Sequence, residues 1–296
     1  MRFLTFAILL TLAAFSVSLA VEPLKVVAST TDLAEIAREV GGSHVTVEAL
    51  CRADQDPHDF EILPSQVMLV QHADVYLKVG LALDLWADKL LESAGNAKLN
   101  VVDCSRGIDV IGAHEQHEGN SPHPLGNPHY WLGPTNLPLI AANIRDALTK
   151  ADDSHGDLFW QRAVTFKARI DSALARWKSN LAPCGGWALV SSHPSWDYFA
   201  RDFGLGLAGT VSRIPDAEPS PLELASLEQT IRKHGKVIFM REPFTSDRFP
   251  NVLSRDTGIP VLLAPSSAGA LPQTQDLWTL FDYLTSQLAT QCQTTR

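Results

Sequence analysis

Beyond the first twenty residues, short apolar runs alternate with amphipathic stretches along the chain. The runs at 24–29, 45–50, 73–80 and 99–103 are short and rich in Val, Leu and Ala, the pattern of buried strands. Between the first two, Leu33, Ile36, Ala37 and Val40 recur at helical spacing. They predict a helix that Asp32 can cap and Gly41-Gly42 stops. Pro64-Ser65-Gln66 opens a second helix, and Leu85 to Leu91 forms a third. The alternation restarts at Trp187, with strands at 187–192, 236–240 and 259–263. Helices are expected at Trp196–Phe203, Leu222–His234, Phe249–Thr257 and Asp276–Leu288. Strands that alternate with helices imply parallel sheets covered on both faces. Between the two sets, Leu158, Phe159, Phe166, Ile170, Leu174, Trp177 and Leu181 mark one face of a helix from Ser154 to Ala182. Such a helix spans ~42 Å, long enough to reach from one domain into the next. The expected fold is α/β, with two lobes, each a mainly parallel sheet flanked by helices, joined by one long helix. The lobes are expected at 21–150 and 184–296, with the connecting helix in 151–183.

The first segment reads as an address. Met1-Arg2, the apolar run from Phe3 to Val17 and the small residues Ser18-Leu19-Ala20 make the three parts of a secretory signal, cleaved after Ala20. The run is shorter than the ~20 residues a bilayer span needs, so no membrane insertion is expected after cleavage. Export makes disulfides the expected state of Cys51, Cys104, Cys184 and Cys292. Pairing within each half gives Cys51–Cys104 and Cys184–Cys292. The 296 residues carry 24 Lys and Arg against 33 Asp and Glu, a formal charge of −9. That balance argues against nucleic acid and leaves cations as natural ligands.

Ten histidines are the oddity of the composition. His58, His129 and His193 each follow a strand or a loop and precede a helix. In open α/β sheets, ligands bind at the carboxyl ends of strands. Two of these histidines come from the first half and one from the second, so a shared ligand would lie between the halves. Three imidazoles suit Zn²⁺. The polar segment 112–128 adds His114, His117 and His123, a compositional signal for auxiliary metal binding. His44, His72, His155 and His234 fall on expected helix ends or surface faces.

Four motifs carry a family resemblance: Asp56-Pro57-His58-Asp59-Phe60-Glu61, Ala73–Gly80, Asn127-Pro128-His129-Tyr130-Trp131-Leu132 and Tyr198–Leu205. Together, in this order and across essentially the whole chain after the signal, they resemble the zinc/manganese solute-binding proteins of bacterial ABC importers. The resemblance implies two α/β lobes, one long helix and a metal ion held between the lobes. It also implies a monomeric periplasmic protein that hands its ion to an inner-membrane ABC permease, and not an enzyme. At matching positions His58, His129 and His193 correspond to the family's three His ligands. The family's frequent Asp after a second-lobe strand is missing, because Ala264-Pro265-Ser266-Ser267 stands there. Pro57 stands where some zinc members have a Glu. The candidates for a fourth ligand are then water, Glu242 and a loop His, in that order. A set of imidazoles without a carboxylate favours Zn²⁺ over Mn²⁺. The competing reading is a secreted zinc-dependent hydrolase with a three-His zinc and a bound water. The chain lacks H-E-x-x-H and G-x-S-x-G, which argues against it.

Overall fold

The computed structural model describes residues 22–113, 123–212 and 218–294. The signal segment and its cleavage point lie outside the described residues, as do His114 and His117. The first sheet contains β1 (Leu24–Ala28), β2 (Val45–Ala49), β3 (Val75–Lys78) and β4 (Asn100–Asp103), in the order β2-β1-β3-β4. The second contains β5 (Ala188–Ser191), β6 (Gly206–Thr210), β7 (Val237–Arg241) and β8 (Val261–Leu263), in the order β6-β5-β7-β8. All neighbours pair in parallel, and the two sheets repeat one strand order. Helices α1 (Thr31–Gly41), α2 (Pro64–Gln71), α3 (Trp86–Ala94) and α4 (Leu137–Ala151) belong to the first half. Helices α6 (Asp197–Phe203), α7 (Pro221–His234), α8 (Arg248–Thr257) and α9 (Leu277–Thr294) belong to the second.

The long helix α5 (Gly156–Asn180) runs between the halves. It buries Phe159, Ala163, Phe166, Ile170, Ala173 and Trp177 along one face. That face packs against α1 and α4 of the first half and α9 of the second. One continuous apolar cluster therefore runs from β1 and β3, through α5 and α9, to β5 and β7. Opening the halves widely would expose part of it, at a cost of roughly 25 cal/mol per Å². Further ties cross the same boundary. Trp131 Nε1 donates to the Ser266 carbonyl (2.8 Å), and the Ala268 amide donates to Asp32 Oδ1 (3.0 Å).

Several expectations are corrected. Asp32 is not the cap of α1. Thr30 occupies that position, and Asp32 turns its buried carboxyl to the segment after β8. Helix α4 and strand β6 were not anticipated. The start of α4 is masked by Pro138, a residue the first helical turn tolerates. Strand β6 is glycine-rich, with Gly209 at φ +131° and a register shift against β5, so its apolar pattern is weak.

The disulfide expectation is half corrected. Cys184 and Cys292 are bonded, whereas Cys51 and Cys104 are free, buried thiols. Cys51 follows β2 and Cys104 follows β4, at opposite edges of the first sheet. Three strand spacings separate those edges by ~14 Å. A disulfide needs Cα atoms within about 7 Å.

Candidate metal centre

The segments after β2, β5 and β7 line one cavity, where the histidines gather. His58 sits in the loop after β2. Its amide donates to Asp56 Oδ1 (2.8 Å), and Trp86 Nε1 donates to the Pro57 carbonyl (3.0 Å). His193 sits in the turn after β5, where Ser191 Oγ donates to its carbonyl (2.6 Å). His129 opens the short helical turn Tyr130–Leu132. Its ring Nδ1 lies 2.9 Å from Asn127 Oδ1, which also accepts from the His129 amide (2.9 Å).

The structure brings a fourth imidazole to these three. His123 Nε2 lies 3.0 Å from His193 Nε2, and His58 Nε2 lies 3.2 Å from His129 Nε2. One nitrogen from each of the four rings lies within 4.8 Å of all the others. Tetrahedral Zn²⁺ with Zn–N bonds of about 2.0–2.1 Å sets its nitrogens about 3.3 Å apart. Burial, followed by the charge that neighbouring imidazoles would carry, holds the pKa of His129 and His193 well below the ordinary value. Burial also lowers that of His58. These three rings are neutral at neutral pH, the form that offers a lone pair to a metal.

Of the fourth-ligand candidates expected from the sequence, a loop histidine is the one that the structure sets beside the trio. The nitrogen beside the trio belongs to His123, a loop histidine, and water and Glu242 are not needed to complete four donors. Glu242 lines the same cavity of about 500 Å³, together with Asp56, Trp131, Ser195, Phe244 and Arg248. Its carboxylate lies outside the four-residue cluster. Trp196 Nε1 donates to its Oε1 (2.9 Å), and burial pushes its pKa up to about 7. The sequence signal for His123 was only its place in a His-rich polar segment, six residues before His129. His44 and His155 pair with each other instead, with ring centroids 4.0 Å apart.

A family model describing the periplasmic component A of a zinc-uptake complex (ZnuA) matches residues 26–291. The chain belongs to that family. Among individual relatives, the zinc-binding lipoprotein AdcA of Streptococcus pneumoniae is 25% identical over 242 residues, which are 80% of this chain and 48% of that protein. The chain thus spans about half the length of these AdcA relatives. A putative metal-binding protein of Treponema pallidum is 26% identical over 247 residues, covering 81% of this chain and 78% of its own. Among solved structures, a ZnuA crystal structure superposes with a TM-score of 0.79 at 23% identity, covering 91% of this chain and 99% of the other. The Mn-bound periplasmic metal-binding protein of Candidatus Liberibacter asiaticus gives 0.76 at 22%, covering 90% and 98%. These two likenesses establish the ZnuA-family fold: two parallel sheets flanked by helices, bridged by one long helix.

Proposed function

We propose that this chain is the periplasmic solute-binding protein of a metal ABC importer, which captures Zn²⁺ between its two lobes and delivers it to an inner-membrane permease. The observation that carries this reading is the convergence of four imidazoles, two of them buried and two half-buried, from both halves of the chain. His58, His129, His193 and His123 are the ligands in this reading. Glu242 stays outside the coordination shell, and His114, His117 and their segment bind further ions weakly. The lobes are 21–150 and 184–296, with 151–183 between them. The chain acts as a monomer, in the periplasm, after cleavage behind Ala20.

The donor set supports Zn²⁺ over Mn²⁺, because Mn²⁺ prefers carboxylate and water oxygens. It also counts against the hydrolase alternative. A catalytic zinc keeps one position open for water, whereas closed sites are filled by protein ligands. Four imidazoles leave no such position. Delivery fits ligands drawn from two lobes, since a small relative shift loosens the whole set.

The test is metal analysis of protein purified without a His tag, followed by Zn²⁺ titration of the stripped protein against a chromogenic chelator. One tight Zn²⁺ per chain, lost in His129→Ala and in His193→Ala, is the expected result. Tight binding that survives both substitutions overturns the reading.

A further inference from the structure

Asn127 spends all of its hydrogen-bonding capacity at the boundary between the two lobes. Its Oδ1 accepts from the His129 amide and faces His129 Nδ1, both at 2.9 Å. Its Nδ2 donates across the boundary to the Pro194 carbonyl and to Asp197 Oδ2, both at 2.8 Å. Its own carbonyl accepts from Tyr198 Oη (2.7 Å), which in turn accepts from the Ile111 amide (3.1 Å). Its amide donates to the Ile111 carbonyl (2.8 Å). Asn127 is nearly inaccessible to solvent.

The chemistry of these contacts is directional. An amide oxygen only accepts, so Nδ1 of His129 must carry the proton. Nε2 then keeps its lone pair, and Nε2 is the nitrogen that faces the other imidazoles. The partner of the second ring nitrogen fixes the tautomer and plane of a ligating histidine. The other end of the same side chain grips Pro194, the residue directly after His193. One planar amide therefore sets the ring of a first-lobe histidine and the backbone of the turn that presents a second-lobe histidine.

We infer that Asn127 is the positioning residue that fixes the first-lobe and second-lobe metal ligands relative to one another. This inference rests on the proposed metal centre and assigns a role to a residue that is not itself a ligand. Asn127 tunes affinity and coordination geometry, and Asp197 shares the work by anchoring the amide's far end.

The experiment uses the full chain and two probes, Zn²⁺ in chelator competition and Co²⁺ read by its visible absorption. Four variants are compared: Asn127→Ala, Asn127→Asp, the pair Asn127→Asp with Asp197→Asn, and His129→Ala. Asn127→Ala should lose about 10- to 100-fold in Zn²⁺ affinity, the usual effect of removing an outer-shell partner. Its Co²⁺ spectrum should also change, because the ring of His129 is free to turn. Asn127→Asp keeps the acceptor for Nδ1 but sets two carboxylates against each other at residue 197. The paired variant restores a donor and an acceptor there, and should bind Zn²⁺ more tightly than Asn127→Asp alone. A role confined to stability would lower the melting temperature and leave affinity and spectrum unmoved. The inference is overturned if Asn127→Ala binds within twofold of wild type with an unchanged Co²⁺ spectrum. If Asn127→Ala does not fold, the two variants that carry Asn127→Asp decide, since both lack the donor to the Pro194 carbonyl, and Zn²⁺ affinities within twofold of wild type in both overturn the inference. If His129→Ala keeps the tight site, the metal-centre reading itself has failed. If His129→Ala loses it and the Asn127 variants do not, only the positioning role has failed.

Discussion

His123 Nε2 and His193 Nε2 stand 3.0 Å apart, one from the polar segment ahead of His129 and the other from the turn after β5. Neither ring is near the other in sequence, and His123 is buried although it lies in a loop rich in Gly and Pro. In the proposed metal centre this buried imidazole is the fourth nitrogen donor. His123→Ala should therefore weaken Zn²⁺ by more than the roughly 10- to 100-fold that an outer-shell partner is worth. Deleting 113–123 should cost at least as much. Chelator competition on both variants measures this, and an unchanged affinity would return the fourth position to water.

The pH dependence of Zn²⁺ binding should be displaced toward acid. Burial holds His129 and His193 well below their ordinary pKa, and His58 below it. Protons then compete with the ion only below the ordinary imidazole value of about 6.5. Affinity should be nearly flat from about pH 8 to about pH 6 and fall at lower pH by more than one proton per ion. The metal-free protein should follow the same sign. Unfolded histidines take up protons near pH 6.5 and folded ones do not, so the stability present above roughly that pH is lost as pH falls. A binding midpoint at or above about pH 6.5 would contradict the burial of the cluster.

Much of the fold was legible because strand and helix patterns here depend on local sequence. The runs Val75–Leu77 and Val237–Met240 are buried on both faces and read as strands from composition alone. The single face of α5 is equally plain, since Phe166, Ile170 and Trp177 recur with the helical period. What was hidden is long-range. The sheet order that separates Cys51 from Cys104 is a property of crossovers, which spacing along the chain does not encode. Asp32 looked like a cap because Asp is a common one, and its true partner, Ala268, lies 236 residues away. The ligand trio drew attention through its motifs. His123 stood among other loop histidines, and the fold brings it beside the trio.

The Cys184–Cys292 bond closes a span of 108 residues and ties the turn after α5 to the last turns of α9. Chain-entropy arguments assign such a bond about 4–5 kcal/mol, with roughly 2–4 kcal/mol typical in practice. Replacing both cysteines by Ala should lower the melting temperature markedly. Zn²⁺ affinity at a temperature where the variant remains folded should stay within twofold of wild type, because the bond lies at the ends of α5 and α9 rather than at the imidazoles. A joint loss of stability and affinity in the folded variant would mean that α9 transmits to the site.

Asp32 supplies a last test, at the tie between α1 and the segment after β8. Its Oδ1 accepts from the Ala268 amide, and Thr31 Oγ1 donates to the Ala268 carbonyl (2.8 Å). Two residues earlier in that segment, the Ser266 carbonyl holds Trp131, which follows His129 by two positions. Asp32 is thus part of the frame behind the metal centre. Burial pushes its pKa up to about 7, above the 3.8 of an exposed Asp. A raised carboxylate favours folding when protonated, so its contribution is complete below about pH 4 and is lost as pH rises through about 7. Asp32→Asn is neutral at every pH and still offers an oxygen to Ala268. Relative to wild type, it should gain stability between about pH 5 and about pH 8, by about 2–4 °C in melting temperature per kcal/mol recovered. Asp32→Ala should instead lose ~1–3 kcal/mol at all pH values, because it strands the buried Ala268 amide. Melting curves of the three metal-free proteins at about pH 5 and about pH 8 separate these effects. A wild type and Asp32→Asn pair whose difference does not change with pH would show that Asp32 is already ionised in the folded protein at the acid end of that range.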